Sequence, residues 1–414
     1  MIKRISRFAW VVALVLVALT LALSCAPKEQ VTPAGKKPTE IWLRGSAAMT
    51  GIYAASLLPA AEAIKEAVDL INTERGGIDG VPWKVELLDD AGDVAKATAT
   101  YEQLKVKEPR ANMMVFMTTS GVAEALRERF NEDKICVMLP SGSATAIYPA
   151  GNTFCIVISH PDGFGFFIDW LAETQPKPVK LGLLNWDSTF GRSIMTDECT
   201  NYAKSKGVDI VATELFGIRE MDLTTQLTKI KNAGATWVFT NTLGFGTVTV
   251  LKSVDALGLK GKMNFAGGHF AMDYDVLRVA EALTEGFVGP HSMVTWDEAD
   301  NPYVAERRKA FDAAERPDSY RAQPFLVFKG WMTYVADIHE AAIEEVGWEN
   351  LDAEAFKAQI VKTKDLKLPW TILNYSADKP ETNWARMVQF KGGKVLPITD
   401  WRKAPDLRPA QYKK

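Results

Sequence analysis

The sequence predicts an α/β protein of two doubly wound lobes, each built around a parallel sheet. Three observations carry that prediction. From Glu40 onward, apolar runs of strand length alternate with segments whose apolar residues recur at helical spacing. The strand–helix–strand unit repeats, and repeated β-α-β units lay their strands parallel with helices on both faces. The series restarts at Lys180-Leu181-Gly182-Leu183-Leu184, in a chain of 414 residues that is long for a single core.

The first segment is not part of that alternation. Lys3, Arg4 and Arg7 precede an apolar run at 8–23 that ends in Ala22-Leu23-Ser24-Cys25, the layout of a secretory signal peptide. The run is shorter than the roughly 18–20 residues that a membrane-spanning helix needs. It resembles a bacterial lipoprotein signal, with residues 1–24 removed and Cys25 lipidated; an ordinary cleaved signal is the alternative. Residues 25–39 are polar and rich in proline, a composition that cannot build a core and reads as a flexible tether. Loss of residues 1–24 removes three cations and no acid, leaving a net charge of −6. No basic tract points to nucleic acid.

In chain order, residues 40–45 read as the first strand. Ile64, Ala67, Val68 and Ile71 follow at helical spacing, and Gly76-Gly77 supplies a helix stop. Asp79-Gly80 turns the chain into a strand in which Trp83, Val85 and Leu87 alternate with charged residues. A helix over 94–107 leads to the apolar runs Met113-Met114-Val115-Phe116-Met117 and Ile135-Cys136-Val137-Met138-Leu139, separated by a helix over 122–130. Residues 152–159 read as a strand carrying the chain onward, 164–174 as a helix, and 180–186 as the first strand of the second series. Strands at 209–211, 236–241 and 263–266 and helices to about 206 and over 248–257 continue it. Residues 286–295 and 367–375 read as further strands, 325–346 as a long amphipathic helix, and 386–390 with 395–398 as a hairpin around Gly392-Gly393. The charged segment 400–414 reads as a solvated tail.

The loops Thr118-Thr119-Ser120-Gly121 and Pro140-Ser141-Gly142-Ser143-Ala144-Thr145 each follow an apolar strand. In a parallel sheet such loops emerge on one edge, where ligands bind. The Ser120-Gly121 turn also opens a helix, so free amides and the positive end of the helix dipole point there. Together they suit a carboxylate; the same hydroxyls also suit ordinary helix caps and turns.

Met49-Thr50-Gly51, Asn72-Thr73-Glu74-Arg75-Gly76-Gly77-Ile78-Asp79-Gly80, Asp89-Asp90 and Asp222-Leu223-Thr224-Thr225-Gln226-Leu227 carry a resemblance. They resemble the leucine/isoleucine/valine-binding-protein family, the type I periplasmic solute receptors of ABC importers, over nearly all of residues 40–401. The resemblance implies three hinge crossings between the lobes. Lobe one is expected at 40–159 plus 291–372, and lobe two at 160–290 plus 373–414. It also implies a permease partner and a monomer in the periplasm or on the outer face of the cytoplasmic membrane, anchored through Cys25. A ligand sensor on the same fold, coupled to a signalling partner, is the alternative.

Residue by residue, the resemblance puts Ser120, Ser143 and Thr145 on the ligand carboxylate, with Tyr53 near an aromatic position that Ser56 vacates. On lobe two the sequence departs from the family. His269 stands at the acidic position that pairs a ligand ammonium, and Leu243, with Phe245 close by, stands where a tyrosine is expected. Trp186 and Phe190 offer an aromatic wall. The set points away from leucine-type ligands and towards aromatic or other organic acids.

Motifs for catalysis fall short. His339-Glu340 lacks a second histidine four residues on, neither hydroxyl loop is Gly-x-Ser-x-Gly, and no glycine-rich loop has phosphate-binding spacing. No enzyme activity, cofactor or metal is expected. His160 and His291, each beside a proline near a crossing, read as hinge or surface residues. Cys136 and Cys155 lie in apolar runs, either as buried thiols or as a disulfide.

Overall fold

A computed structural model of the chain describes residues 36–413. The signal-peptide reading of residues 1–24, Cys25 and most of the tether lie outside the described residues.

The first series is β1 (Ile41–Ala47), α1 (Ala54–Arg75), β2 (Trp83–Asp89), α2 (Val94–Lys105), β3 (Met113–Met117), α3 (Ser120–Glu132), β4 (Cys136–Leu139), the short α4 (Ala144–Ile147) and β5 (Thr153–Cys155). Its strands form one parallel sheet in the order β2-β1-β3-β4-β5. β3 and β4 are buried along their whole length, as strands covered on both faces must be. Helix ends follow the sequence signals: Gly76 closes α1 in the left-handed region at φ 74°, and the Asp93 carboxylate caps α2 by accepting from Lys96 N at 2.8 Å.

The second series is α5 (His160–Thr174), β6 (Val179–Trp186), α6 (Thr189–Arg192), α7 (Asp197–Ser205), β7 (Val208–Phe216), α8 (Thr224–Asn232), β8 (Trp237–Thr240), α9 (Gly244–Ala256), β9 (Asn264–Gly267), α10 (Tyr274–Thr284) and β10 (Val288–His291). The chain then runs through α11 (Pro302–Ala313), α12 (Gln323–Val346), α13 (Ala353–Ile360), β11 (Leu366–Leu368), β12 (Thr371–Leu373), β13 (Trp384–Lys391), β14 (Lys394–Pro397) and β15 (Arg402–Lys403). The second sheet runs β14-β13-β10-β9-β8-β6-β7. It is parallel from β7 to β10, and the β13–β14 hairpin adds antiparallel at β10. α12 buries Trp331, Val335 and Ala342 in the core of the first sheet, against α1.

The molecule therefore has two parallel-sheet lobes, with the chain passing between them after β5, after β10 and after β12. A buried ionic cluster sits at these passages. Lys379 Nζ lies 2.5 Å from Asp162, 3.3 Å from Asp406 and 3.4 Å from Glu381, and Tyr148 donates to Glu381 at 2.7 Å.

One expectation changes, and one open alternative resolves to buried thiols. The segment after residue 400 is docked rather than a solvated tail: Leu407 is buried and its N–H donates to Asp162, and Tyr412 stacks on Tyr148. Cys136 and Cys155 are free thiols in different core clusters, because their register on β4 and β5 sends them to opposite sheet faces.

Candidate functional site

The loops that follow β3, β4, β6, β8 and β9 converge on one cavity of about 210 Å3 between the sheets, closed by the first two crossings and the start of α12. By comparison, an apolar cavity of about 150 Å3 takes benzene.

On lobe one the polar end is the start of α3. The Thr119 hydroxyl caps the helix by accepting from Val122 N at 3.4 Å, which leaves the first-turn amides of Ser120 and Gly121 without intrahelical acceptors. Ser120 is buried against the cavity, and its hydroxyl has no protein partner among the described residues. Ser141 also lines the cavity, but its proton goes to Ile158 O at 2.9 Å. From lobe two the Thr189 hydroxyl reaches the same spot, 3.6 Å from where a Cβ on Gly121 would stand. Free donors at the positive end of a 13-residue helix are chemically suited to an anion without any cationic side chain.

The opposite wall is aromatic. Phe190 stands 6.2 Å from Trp186 and 6.1 Å from Phe270, ring centre to ring centre, and all three line the cavity. Tyr53 closes the lobe-one side, its phenol raised by burial. Among the described lining residues none is lysine or arginine.

Besides the Tyr53 phenol, the ionisable groups of the lining are three histidines and one acid. His269 Nδ1 accepts from Ser292 N at 3.2 Å, and its ring stacks on His291 at 4.4 Å. His160 sits edge-on to Phe190 at 4.5 Å. Burial holds all three well below the usual histidine range. Asp273 caps α10 through Tyr274 N at 2.7 Å, and burial together with Asp275 pushes its carboxyl up to about 7. Among the described residues no group of three or more His, Cys, Asp or Glu is arranged to hold a metal ion.

Of the residues expected from the sequence, Tyr53, Ser120, Trp186, Phe190 and His269 come together here. Ser143, Thr145 and Phe245 lie off the cavity lining. Ser143 caps α4, both the Ser143 and Thr145 hydroxyls bond Glu124 Oε1, and Phe245 packs behind Trp186 at 4.7 Å. Leu243 takes the lining position instead. His160 and His291 are buried in the cavity wall at the crossings rather than on the surface. Sequence reasoning missed Thr189, Phe270 and Asp273. An Asp-x-Asp pair opening an amphipathic helix at 273–275 was an available signal for the acid.

A family model described as periplasmic binding protein matches residues 46–394. Among solved structures, a branched chain amino acid ABC transporter protein from Thermus thermophilus with bound valine has a TM-score of 0.78 at 20% identity, covering 91% of this chain and 98% of that one. A fatty acid ABC transporter substrate-binding protein from Thermomonospora curvata has a TM-score of 0.76 at 18% identity, covering 91% and 95%. A solute-binding protein from R. palustris in complex with 4-hydroxybenzoate has a TM-score of 0.74 at 15% identity, covering 88% and 97%. No curated protein sequence matches. At these identities the structural likenesses speak to the fold alone, and it is the family match, spanning most of both lobes, that makes the chain a member of the periplasmic binding protein family.

Proposed function

We propose that the protein is an extracytoplasmic receptor of a branched-chain-amino-acid-type ABC importer, holding a small carboxylate-bearing ligand with an aromatic body between two closing lobes. The observation that carries this reading is the two-ended chemistry of the cavity: unpartnered donors at the start of α3 face it from one side, an aromatic wall from the other. We assign the carboxylate to the Ser120 hydroxyl and the amides of Ser120 and Gly121, with Thr189 closing from lobe two. Ser143 and Thr145, held by Glu124, receive no ligand role. A hydrogen bond to a charged group contributes roughly 1.5–3 kcal/mol, so three or four bonds with modest apolar burial suffice for about −8 kcal/mol, or micromolar binding. Of the ligands bound by the relatives, 4-hydroxybenzoate has both a carboxylate and a ring for that wall, whereas valine has no ring.

In this reading residues 40–159 with 291–372 close against 160–290 with 373–414 about the three crossings, and the closed form presents both lobes to a permease. The mature chain is a monomer held at the membrane by a lipid on Cys25. Among the described residues no helix is long and apolar enough to cross a membrane. No bond is made or broken in the ligand.

The test is a thermal-shift screen of the purified protein against aromatic monocarboxylates, amino acids, amides and dicarboxylates. A ligand at roughly 100 times its dissociation constant adds about 2.7 kcal/mol of stability. Stabilisation by aromatic monocarboxylates is expected; stabilisation by amides or aliphatic amino acids alone would refute the reading.

A further inference from the structure

The hydrogen bonds around the three cavity histidines fix which ring nitrogen carries each proton. A peptide N–H only donates, so the Nδ1 of His269 that meets Ser292 N is bare and the ring proton sits on Nε2. A carbonyl only accepts, so the Nδ1 of His291, 2.8 Å from Met293 O, carries the proton and Nε2 is bare. For His160 the partner is the Ser193 hydroxyl at 2.9 Å. That hydroxyl spends its single proton on Phe190 O at 2.6 Å and also accepts from Asn241 Nδ2 at 3.2 Å. Only a lone pair remains for His160, whose Nδ1 is therefore protonated and whose Nε2 is bare.

None of the three Nε2 atoms has a protein partner among the described residues, and all three rings line the cavity. Burial lowers His160 to about 3 and His291 to about 4, and holds His269 well below its usual value. All three rings are neutral at pH 7, which keeps these tautomers in place. The wall thus offers two hydrogen-bond acceptors and one donor, separate from the donors at the start of α3.

We propose that His160, His269 and His291 are specificity-determining residues that read a hydroxyl on the ligand's ring, making hydroxylated aromatic acids the preferred class. This rests on the carboxylate reading above. A hydroxyl gives one proton and accepts others, so it satisfies a bare Nε2 and the His269 Nε2–H together. A ring C–H satisfies neither. An ammonium can donate to the bare Nε2 atoms but accepts nothing, so it leaves the His269 Nε2–H unpaired against a positive charge. Sites built around a substrate hydroxyl reject the analogue that lacks it far more strongly than apolar pockets reject an extra methylene, because buried polar groups are left unmatched.

Titration calorimetry near neutral pH tests this with benzoate, with 2-, 3- and 4-hydroxybenzoate, and with leucine, on wild type, His269→Phe and His269→Gln. At least one hydroxybenzoate isomer should bind wild type tighter than benzoate by about tenfold or more. His269→Phe should erase that preference, bringing hydroxybenzoate and benzoate affinities measured on the same variant within about threefold of each other, and His269→Gln, whose amide retains a donor, should recover part of it. Apo unfolding midpoints monitor folding, and if His269→Phe is unfolded, His160→Phe puts the same question to the acceptor side. Benzoate binding as tightly as every isomer would overturn the histidine proposal and leave the carboxylate receptor standing. Leucine binding with no member of the benzoate series bound would overturn both.

Discussion

Replacing Ser120 by alanine isolates the anion cradle from the rest of the fold. Among the described residues its hydroxyl makes no hydrogen bond to the protein, although the residue is buried at the cavity wall. Removing it therefore leaves no orphaned partner in the apo protein, and the unfolding midpoint should hold. In the proposed complex the hydroxyl donates to a carboxylate, a charge-assisted bond worth roughly 1.5–3 kcal/mol. At about 1.4 kcal/mol per factor of ten, affinity should fall about ten- to 150-fold. Calorimetry with the tightest acid from the thermal-shift screen reads the change. Thr145→Ala is the control, because that hydroxyl is exposed and committed to Glu124, and it should leave affinity within about threefold. Wild-type affinity in Ser120→Ala would refute the assignment, and an equal loss in Thr145→Ala would return the ligand contact to the second hydroxyl loop.

Two further outcomes follow from the structure and one from the sequence. Asp273, raised to about 7 by burial and Asp275, contributes stability in its protonated form; that contribution is full below about pH 4, near the usual carboxylate value, and lost as pH rises through 7. Asp273→Asn should accordingly gain stability relative to wild type between about pH 4 and 8 in urea unfolding, and parallel profiles would contradict it. Lys379→Met leaves the buried Asp162 and Glu381 carboxylates uncompensated, and unfolding should show a loss of about 3–5 kcal/mol, whereas a neutral effect would mean that the cluster does not tie the crossings. Cys25→Ala should move the protein from the membrane fraction to the soluble one and remove incorporation of labelled fatty acid; unchanged fractionation would refute the lipid anchor.

Much of this architecture was legible in the sequence because its signals are local. Strand–helix alternation, Gly76 as a helix stop and the hairpin at Gly392-Gly393 each depend on residues a few positions apart. The site was legible only as far as register allowed. Ser120 falls at the first turn of a helix after a strand, so its place at the sheet edge followed from the pattern. Ser141, Ser143 and Thr145 span the loop after β4 and the first turn of the short α4, where nothing in the residue types says which hydroxyl turns inward; the side chains of Ser143 and Thr145 turn to Glu124. The family resemblance puts His269 at the acidic position, but a 3-10 turn over His269–Met272 carries the chain back so that Asp273 also meets the cavity. The last residues looked like a tail because they are charged. Their partners, Asp162 and Tyr148, lie more than two hundred residues away and leave no trace in local composition.

The most direct measurement is a crystal structure of the purified protein with its tightest aromatic acid bound. The account predicts the ligand carboxylate within hydrogen-bonding distance of Ser120 Oγ and Gly121 N, with the ring against Trp186, Phe190 and Phe270. A carboxylate turned towards His269 and Asp273, or a ligand bound outside the cavity, would contradict it.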